Sequence, residues 1–349
     1  MMPSLLPRLH GRPVGAARFK LRPEDFQVEE VLGFDPSGEG EHCLLWIEKT
    51  GLNSNDVASH IAGRLGIRKR LVSHCGLKDR HAVTRQWFSL HLPGQASPRA
   101  EELASEGLSV LAITRNGRKL RRGSHDGNRF TIRLRECEFT DEQARARWNQ
   151  ITARGVPNYF GPQRFGRDGG NVRQALRMFS GDLVVRDRAL RGILISAARS
   201  FLFNAILGER LERGSWERVL EGEVFGFADN LSLVLPERCR GDEARRVAAG
   251  SLELTAPLWG GIGALQSRDV VRALEEEIVA RHPELCAGLE ELGLRHERRV
   301  IRLVPENSHL TWEGGDELVI SFDLPKGTYA TTVLRELVES PDGTAPAVD

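Results

Sequence analysis

Asp79 stands between Lys78 and Arg80 in the stretch CGLKDRHAVTRQ, Cys75 to Gln86, with His81 and Arg85 close behind. A carboxylate among so many cations is held ionised, because neighbouring positive charge favours the charged form. It is therefore a poor general acid, and three roles remain for it: nucleophile, metal ligand, or loop ion-pair partner. A metal site needs several ligands that converge. His74 and Cys75 are adjacent and point in different directions, and a metal on Asp79 and His81 would sit in a field of cations, so no metal is expected. Cys75 near His74 and His81 has the composition of a thiolate pair. No GxSxG elbow accompanies it, and it reads instead as a buried small side chain. The glycine-rich GGIGALQS, Gly260 to Ser267, lacks both the GxGxxG spacing and the Lys-Ser/Thr of a phosphate loop and reads as a turn. Phe26, Phe130 and Tyr329 lie on polar-rich strands and turns near cations, which is how proteins stack an unpaired base. Core packing is the competing reading for each ring taken singly.

These residues must be positioned by regular elements. Alternation in the segment after the Pro-Glu-Asp turn predicts a strand with Phe26, Val28 and Glu30 on one face. His42 to Thr50 is apolar on both faces and predicts a buried strand. Val57, Ile61 and Leu65 recur every four residues and predict an amphipathic helix, capped by Asn53 or Ser54 and ended by Gly66. Asp79 then falls in the loop after it. Gln86 to Leu92 is a further strand, with Trp87, Ser89 and His91 on one face. Arg115 to Gly123 is a basic turn and linker, and Gly127 to Glu136 a strand with Phe130, Ile132 and Leu134 inward and Asn128 at its start. After about residue 140 helices dominate: a helix near Asp141, a Gly/Pro-punctuated loop from Gly155 to Gly166, and helices over Ile193–Arg213, Arg268–Ala280 and Pro283–Leu292. Glu317 to Leu337 returns to strand, tight turn and helix. The order is that of one α+β domain interrupted by a mostly helical insertion.

The bulk composition bounds the function. The 349 residues are 40% hydrophobic and 28% charged, long enough for two domains. No run of eighteen apolar residues is present, so no membrane-spanning helix is expected. The N-terminus has neither a sustained apolar core nor a small-residue cleavage site, which points to the cytoplasm. Five widely spaced cysteines without a CxxC pair argue against a disulfide framework and fit a reducing compartment. Net charge is only +1, but His60 to Arg135 carries 16 Lys/Arg against 5 Asp/Glu, so a segment at +11 is balanced by −10 elsewhere. Such asymmetry is the footprint of a polyanion-binding face on a neutral protein. The candidate RNA-contacting cations within it are Lys78, Arg80, Arg85, Arg118, Lys119, Arg121 and Arg122.

The stretch GLKDRHAVTRQ resembles the catalytic motif of the TruD family of tRNA pseudouridine synthases. RPEDFQVEE, LGFDPSGEGEH, GNRFTIRLRE, GVPNYFGPQRFG, SAARSFLFNAIL and LPKGTYATTVLREL resemble further family segments, in family order, from about Phe19 to Leu337. The resemblance implies the pseudouridine synthase fold, an α+β domain with a mixed sheet (residues 1–154 and 303–349), interrupted by an inserted TRUD domain (residues 155–302). It implies a nucleophilic role for Asp79, contacts to the target uridine from Phe26, Asn128, Phe130 and Tyr329, and a basic residue beside the aspartate at Lys20. Tyr329 stands where the family usually has Phe, which keeps the ring and adds a hydroxyl that needs a partner. It further implies tRNA as partner, the uridine at position 13 as target, and no cofactor or metal, since an isomerisation gains no atom and changes no oxidation state. No surface stripe suggests a large apolar interface, so a monomer is expected. An RNA-binding protein without catalysis, and a nucleotide-binding enzyme using GGIGALQS, are the competing readings. An acid amid cations favours catalysis over plain binding.

Overall fold

Residues 6–227, 232–261, 263 and 267–339 are described by a computed structural model. Alternation in FQVEEV builds the first strand, β1 (Phe26–Val31), with Phe26, Val28 and Glu30 buried. There follow β2 (His42–Thr50), α1 (Ser54–Arg64), β3 (Val72–His74), β4 (Val83–His91), α2 (Ala100–Leu103), β5 (Leu108–Asn116), β6 (Gly127–Leu134) and α3 (Asp141–Arg154). The middle of the chain forms β7 (Val156–Pro157), α4 (Gly170–Phe179), α5 (Arg188–Glu212), β8 (Phe225–Gly226), β9 (Leu233–Val234), α6 (Glu243–Ala248) and β10 (Glu253–Leu258). It continues through α7 (Asp269–Val279), α8 (Pro283–Glu291), β11 (Glu297–Val300) and β12 (Arg302–Leu303), and the chain then gives β13 (Glu306–Gly314), β14 (Glu317–Pro325) and α9 (Ala330–Leu337).

The chain divides into two compact units. One comprises Pro13–Ala153, Pro305–Ala330 and Leu337–Asp349; the other comprises Met1–Arg12, Arg154–Val304 and Thr331–Glu336. The first is built on an eight-stranded sheet in the order β13-β14-β6-β1-β4-β2-β5, with β3 added on β4. The sheet is mixed: β1 runs parallel to β4 and antiparallel to β6. Helix α1 covers β2 and β4, laying Val57, Ala58 and Ile61 on Cys43, Leu45, Ile47, Phe88 and Leu90. Asn53 caps it, its backbone N–H donating to Asp56 at 3.3 Å.

The second unit carries more strand than its helical texture suggests, a four-stranded sheet in the order β11-β10-β8-β9. These strands are short, two to six residues, so no alternation announces them. Helix α5 begins at Arg188, before the apolar repeat starts, because Asp187 caps it by accepting from Ala189 N–H at 2.7 Å. Contrary to the sequence expectation, α5 is long and apolar enough by length and composition to cross a membrane. Half of that window is buried inside the protein, and α5 also buries Ser200, Asn204 and Arg210, the last paired with the equally buried Glu223 at 2.5 Å. It packs on α4, α7, α8 and β10 as the core helix of its unit. Gly260 of GGIGALQS lies where a Cβ would be 2.4 Å from the Leu294 carbonyl oxygen, so glycine there permits close backbone approach. Residues 262 and 264–266 of that motif lie outside the described residues.

Strand β5 escapes the sequence pattern because it is an edge strand with apolar residues turned outward, Leu111 being 48% exposed. Gly127 opens β6 under a different constraint. A Cβ there would lie 2.5 Å from the Leu324 carbonyl oxygen of β14, the strand it pairs with. Gly127→Ala should therefore force the strands apart and destabilise the sheet unit by about 1–3 kcal/mol, the usual cost of overpacking. Chemical denaturation reads this directly; an unchanged midpoint would show that β6 and β14 part without penalty.

Candidate active site

The loop carrying Asp79 joins β3 to β4 and is pinned from below by buried donors. Ser54, at the start of α1, accepts from Lys78 N–H at 3.0 Å and donates to Gln86 at 2.6 Å; Gln86 in turn donates to the Gly76 carbonyl at 2.9 Å. Lys49, 1% exposed, donates to the carbonyls of Asp79 at 2.8 Å and Leu52 at 2.7 Å. Arg80 and Gly51 exchange a further pair of bonds, at 2.9 and 3.1 Å. A loop with this many backbone anchors holds its exposed side chain in a defined place.

The Asp79 carboxylate points out, 55% exposed, with Oδ2 taking a hydrogen bond from Lys20 Nζ at 2.8 Å. An exposed ion pair stabilises by only about 0–1 kcal/mol, so Lys20 orients this group more than it stabilises the fold. Lys20 adopts φ +58°, and its ammonium lies 4.0 Å from the centre of the Phe26 ring. Phe26 meets Phe130 edge-on at 6.0 Å, and Phe130 stacks on Phe322 at 5.7 Å. The β1–β6 register sets this: Val28 lies opposite Phe130 and Glu30 opposite Asn128. Asp79, Lys20, Phe26 and Phe130 are thus linked contact by contact. Phe26 and Phe130 are 4% and 7% exposed, so core packing, the competing reading for each ring, describes their place in the sheet. They face inward on alternating strands, and Lys20 covers Phe26.

Lys78, expected to hold phosphates at the surface, is instead an interior cation. Its side chain is 5% exposed, its Nζ 3.0 Å from Glu30 Oε2 and 2.6 Å from Asn128 Oδ1. Glu30 is fully buried and also accepts from the Trp87 N–H at 3.2 Å; burial pushes its carboxyl up, and Lys78 opposes that shift. Glu30 and Lys49 are the structural residues that reading the sequence missed. Glu30 did leave a trace, as a carboxylate on the same face as Phe26 and Val28.

Tyr329 is half-buried in the turn between β14 and α9. That turn is tied to the start of β6 by Lys326 N–H donating to the Asp126 carbonyl at 3.0 Å. Much of the basic belt is neutralised on the sheet. Arg85 pairs with Glu48 at 2.8 Å and Glu29 at 3.4 Å, Arg129 with Asp323 at 2.9 Å, Arg133 with Glu317 at 2.8 Å, and Arg135 with Asp25 at 2.9 Å. Arg80, Arg118, Lys119, Arg121 and Arg122 are exposed and, among the described residues, have no carboxylate in ion-pair range. Arg118, Lys119 and Arg121 line a cavity of about 600 Å³ with His42, Gly117 and Ser124. Asp79 is not among the residues that line it.

Glu30, Cys75 and His125 place metal-type ligand atoms within 4.8 Å of one another. Their chemistry does not favour a cation. Lys78 already serves as the counter-charge of Glu30. Burial pushes the Cys75 thiol up to about 11, away from the thiolate a metal needs; burial together with Lys78 lowers His125 to about 4, which leaves its ring neutral and does not itself oppose a metal. Cys75 is likewise no nucleophile. In the folded protein at pH 8, iodoacetamide should modify the exposed Cys239 and leave Cys75, 1% exposed, untouched until denaturant is added. Early mapping of label to Cys75 would contradict this.

Lys49 gives a pH signature. Burial lowers it from 10.5 to about 8, with the Asp79 charge opposing. The folded chain therefore releases this proton before the unfolded chain does. Between about pH 8 and 10.5 the unfolded state binds more protons at this site, so stability from this group rises with pH. Relative to Lys49→Met, the wild type should gain stability across that window; parallel curves would show that Lys49 is not perturbed.

A family model described as tRNA pseudouridine synthase D (TruD) matches residues 10–184 and 169–337. A tRNA pseudouridine synthase D of Methylococcus capsulatus is 45% identical over 334 residues, covering 96% of this chain and 94% of that protein. The protein of the same description from Pseudomonas aeruginosa is 44% identical over 335 residues, covering 95% and 93%. A crystal structure described as a TruD from Methanosarcina mazei shares the fold, with a TM-score of 0.68 at 20% identity over 95% of this chain and 96% of that one.

Proposed function

The chain belongs to the TruD family of tRNA pseudouridine synthases, and from that premise we propose that Asp79 is the nucleophile with which it isomerises one tRNA uridine, by resemblance the uridine at position 13. The protein is an isomerase. The observation that carries the residue assignment is an exposed carboxylate on a loop pinned from below, held by Lys20 at one oxygen.

Pseudouridine formation breaks the N1–C1′ bond, turns the uracil and joins C5 to C1′; the proton lost from C5 is balanced by one gained at N1. No redox change occurs, so the reaction calls for no cofactor. An ionised carboxylate serves attack at C1′, attack at C6, or assistance to glycal formation alike. Lys20 orients it. The target base must leave its stack, and Phe26 and Phe130 stand behind it, with Tyr329 adding a ring and Asn128 directional hydrogen bonds. Buried rings act here as a rigid support whose edge meets the base. Arg80, Arg118, Lys119, Arg121 and Arg122 supply phosphate contacts, and Arg85 adds to them only by yielding its carboxylate partners. Residues 1–154 with 303–349 act as the catalytic domain, and 155–302 as the inserted TRUD domain. The protein works as a cytoplasmic monomer, which light scattering checks.

Asp79→Asn keeps the shape and removes the charge. On unmodified tRNA transcripts the variant should bind as the wild type does and lose site-mapped conversion by about 10⁴-fold or more, the scale expected when a nucleophile is removed. Conversion at the wild-type rate would leave Asp79 an ion-pair partner. Binding without conversion by both proteins would favour an RNA-binding function. Replacing Arg118, Lys119 and Arg121 together by Gln should weaken tRNA binding and flatten its dependence on salt, since fewer counterions are released.

A further inference from the structure

Asn128 has an amide whose two ends differ in chemistry: the oxygen accepts and the NH₂ donates. Which end faces which way is decided by the neighbours that each end can satisfy. Here the neighbour is Lys78, whose ammonium has three donors and no acceptor. Its Nζ lies 2.6 Å from Asn128 Oδ1. The opposite flip would set an NH₂ against an NH₃⁺, two groups that can only donate. The ammonium cannot move away cheaply, because it is 3.0 Å from Glu30 Oε2, a carboxylate with no exposed side-chain surface. Separating a buried pair leaves an uncompensated charge, at about 3–5 kcal/mol.

We propose that Lys78, ion-paired to Glu30, is a positioning residue that fixes the Asn128 amide as a pure donor toward the target base, so that the site selects the O4 acceptor of uracil and rejects the exocyclic amine of cytosine. This rests on the reading that Asn128 meets the base. The two pyrimidines differ at this edge by an acceptor against a donor, and sites built on one directional partner discriminate strongly against the analogue that leaves it unpaired. Lys78 touches no reacting atom. It acts through Asn128, and Glu30 acts through Lys78.

The test uses full-length enzyme on transcripts carrying uridine or 4-thiouridine at the target position, the sulfur being the weaker acceptor. Wild type should convert the thio substrate about tenfold more slowly, the loss of one hydrogen bond. Lys78→Met alone leaves Glu30 buried and unpaired and is expected to fold poorly, so the informative variant is the double change Lys78→Met with Glu30→Leu, which removes both charges and keeps volume. It should fold and keep tRNA affinity, melting a few degrees below the wild type because the Trp87 N–H loses its acceptor, convert uridine at least tenfold more slowly in kcat, and show a thio effect close to one, because the freed amide turns its oxygen as readily as its nitrogen. A double variant that converts uridine at the wild-type rate, or one that retains the full thio effect, would overturn the proposal. Asn128→Ala separates it from the parent reading: full activity in that variant would show that Asn128 does not meet the base at all.

Discussion

The pairing of β1 with β6 on one side and β4 on the other is the constraint on which the site depends. It brings residues 26–30, 127–132 and 83–85 side by side in one register. A strand's faces alternate with period two, so a slip of one residue would turn Phe26, Val28 and Glu30 out and Gln27 and Glu29 in. Glu30 would then lose Asn128 as its cross-strand neighbour, and Phe130 would lose its contact with Phe26. Gly127 guards the same register from the β14 side, where only a hydrogen fits beneath the Leu324 carbonyl.

On that frame two buried ammonium groups hold one exposed carboxylate's loop. Lys49 binds the Asp79 carbonyl and Lys78 precedes Asp79 in the chain while reaching to Glu30 and Asn128. Burying a cation is costly unless it is paired and fully hydrogen-bonded. Here each is satisfied by carbonyls or by a carboxylate, and the result is rigidity at the loop. The third cation, Lys20, is the one that meets the Asp79 side chain. The structure therefore separates labour among lysines: two hold the backbone or a neighbouring amide, and one orients the Asp79 side chain.

The basic belt shows how charge counted along a chain differs from charge presented in space. The excess from His60 to Arg135 is real, but Arg85, Arg129, Arg133 and Arg135 lie on strands whose neighbours bring Glu48, Asp323, Glu317 and Asp25 across from them. All four of these carboxylates come from outside the segment, from the acidic remainder that balances it. What is left for a polyanion lies in the Arg118–Arg122 turn, at Arg80 and in the Arg68–Arg70 run, all exposed and, among the described residues, without a carboxylate in ion-pair range.

By itself the sequence determined the elements whose pattern is local: the alternation of Phe26, Val28 and Glu30, the repeat of Val57 and Ile61, the inward Phe130, Ile132 and Leu134, and the loop position of Asp79. Its motifs, in order, also determined the family. The Lys78–Glu30 and Lys49–Asp79 links, the contact of Phe26 with Phe130, and the neutralised arginines were decided only by tertiary structure. Each joins residues far apart in the chain through a register that no single segment encodes. Edge strand β5 and the strands of the second unit were equally illegible: β5 turns apolar residues to solvent, β8 and β9 are two residues long, and β10 is buried on both faces and so shows no alternation. Lys78 is the clearest case. Beside Asp79 in the sequence it reads as one more surface cation, and only the sheet, by setting Glu30 opposite Asn128, turns it inward.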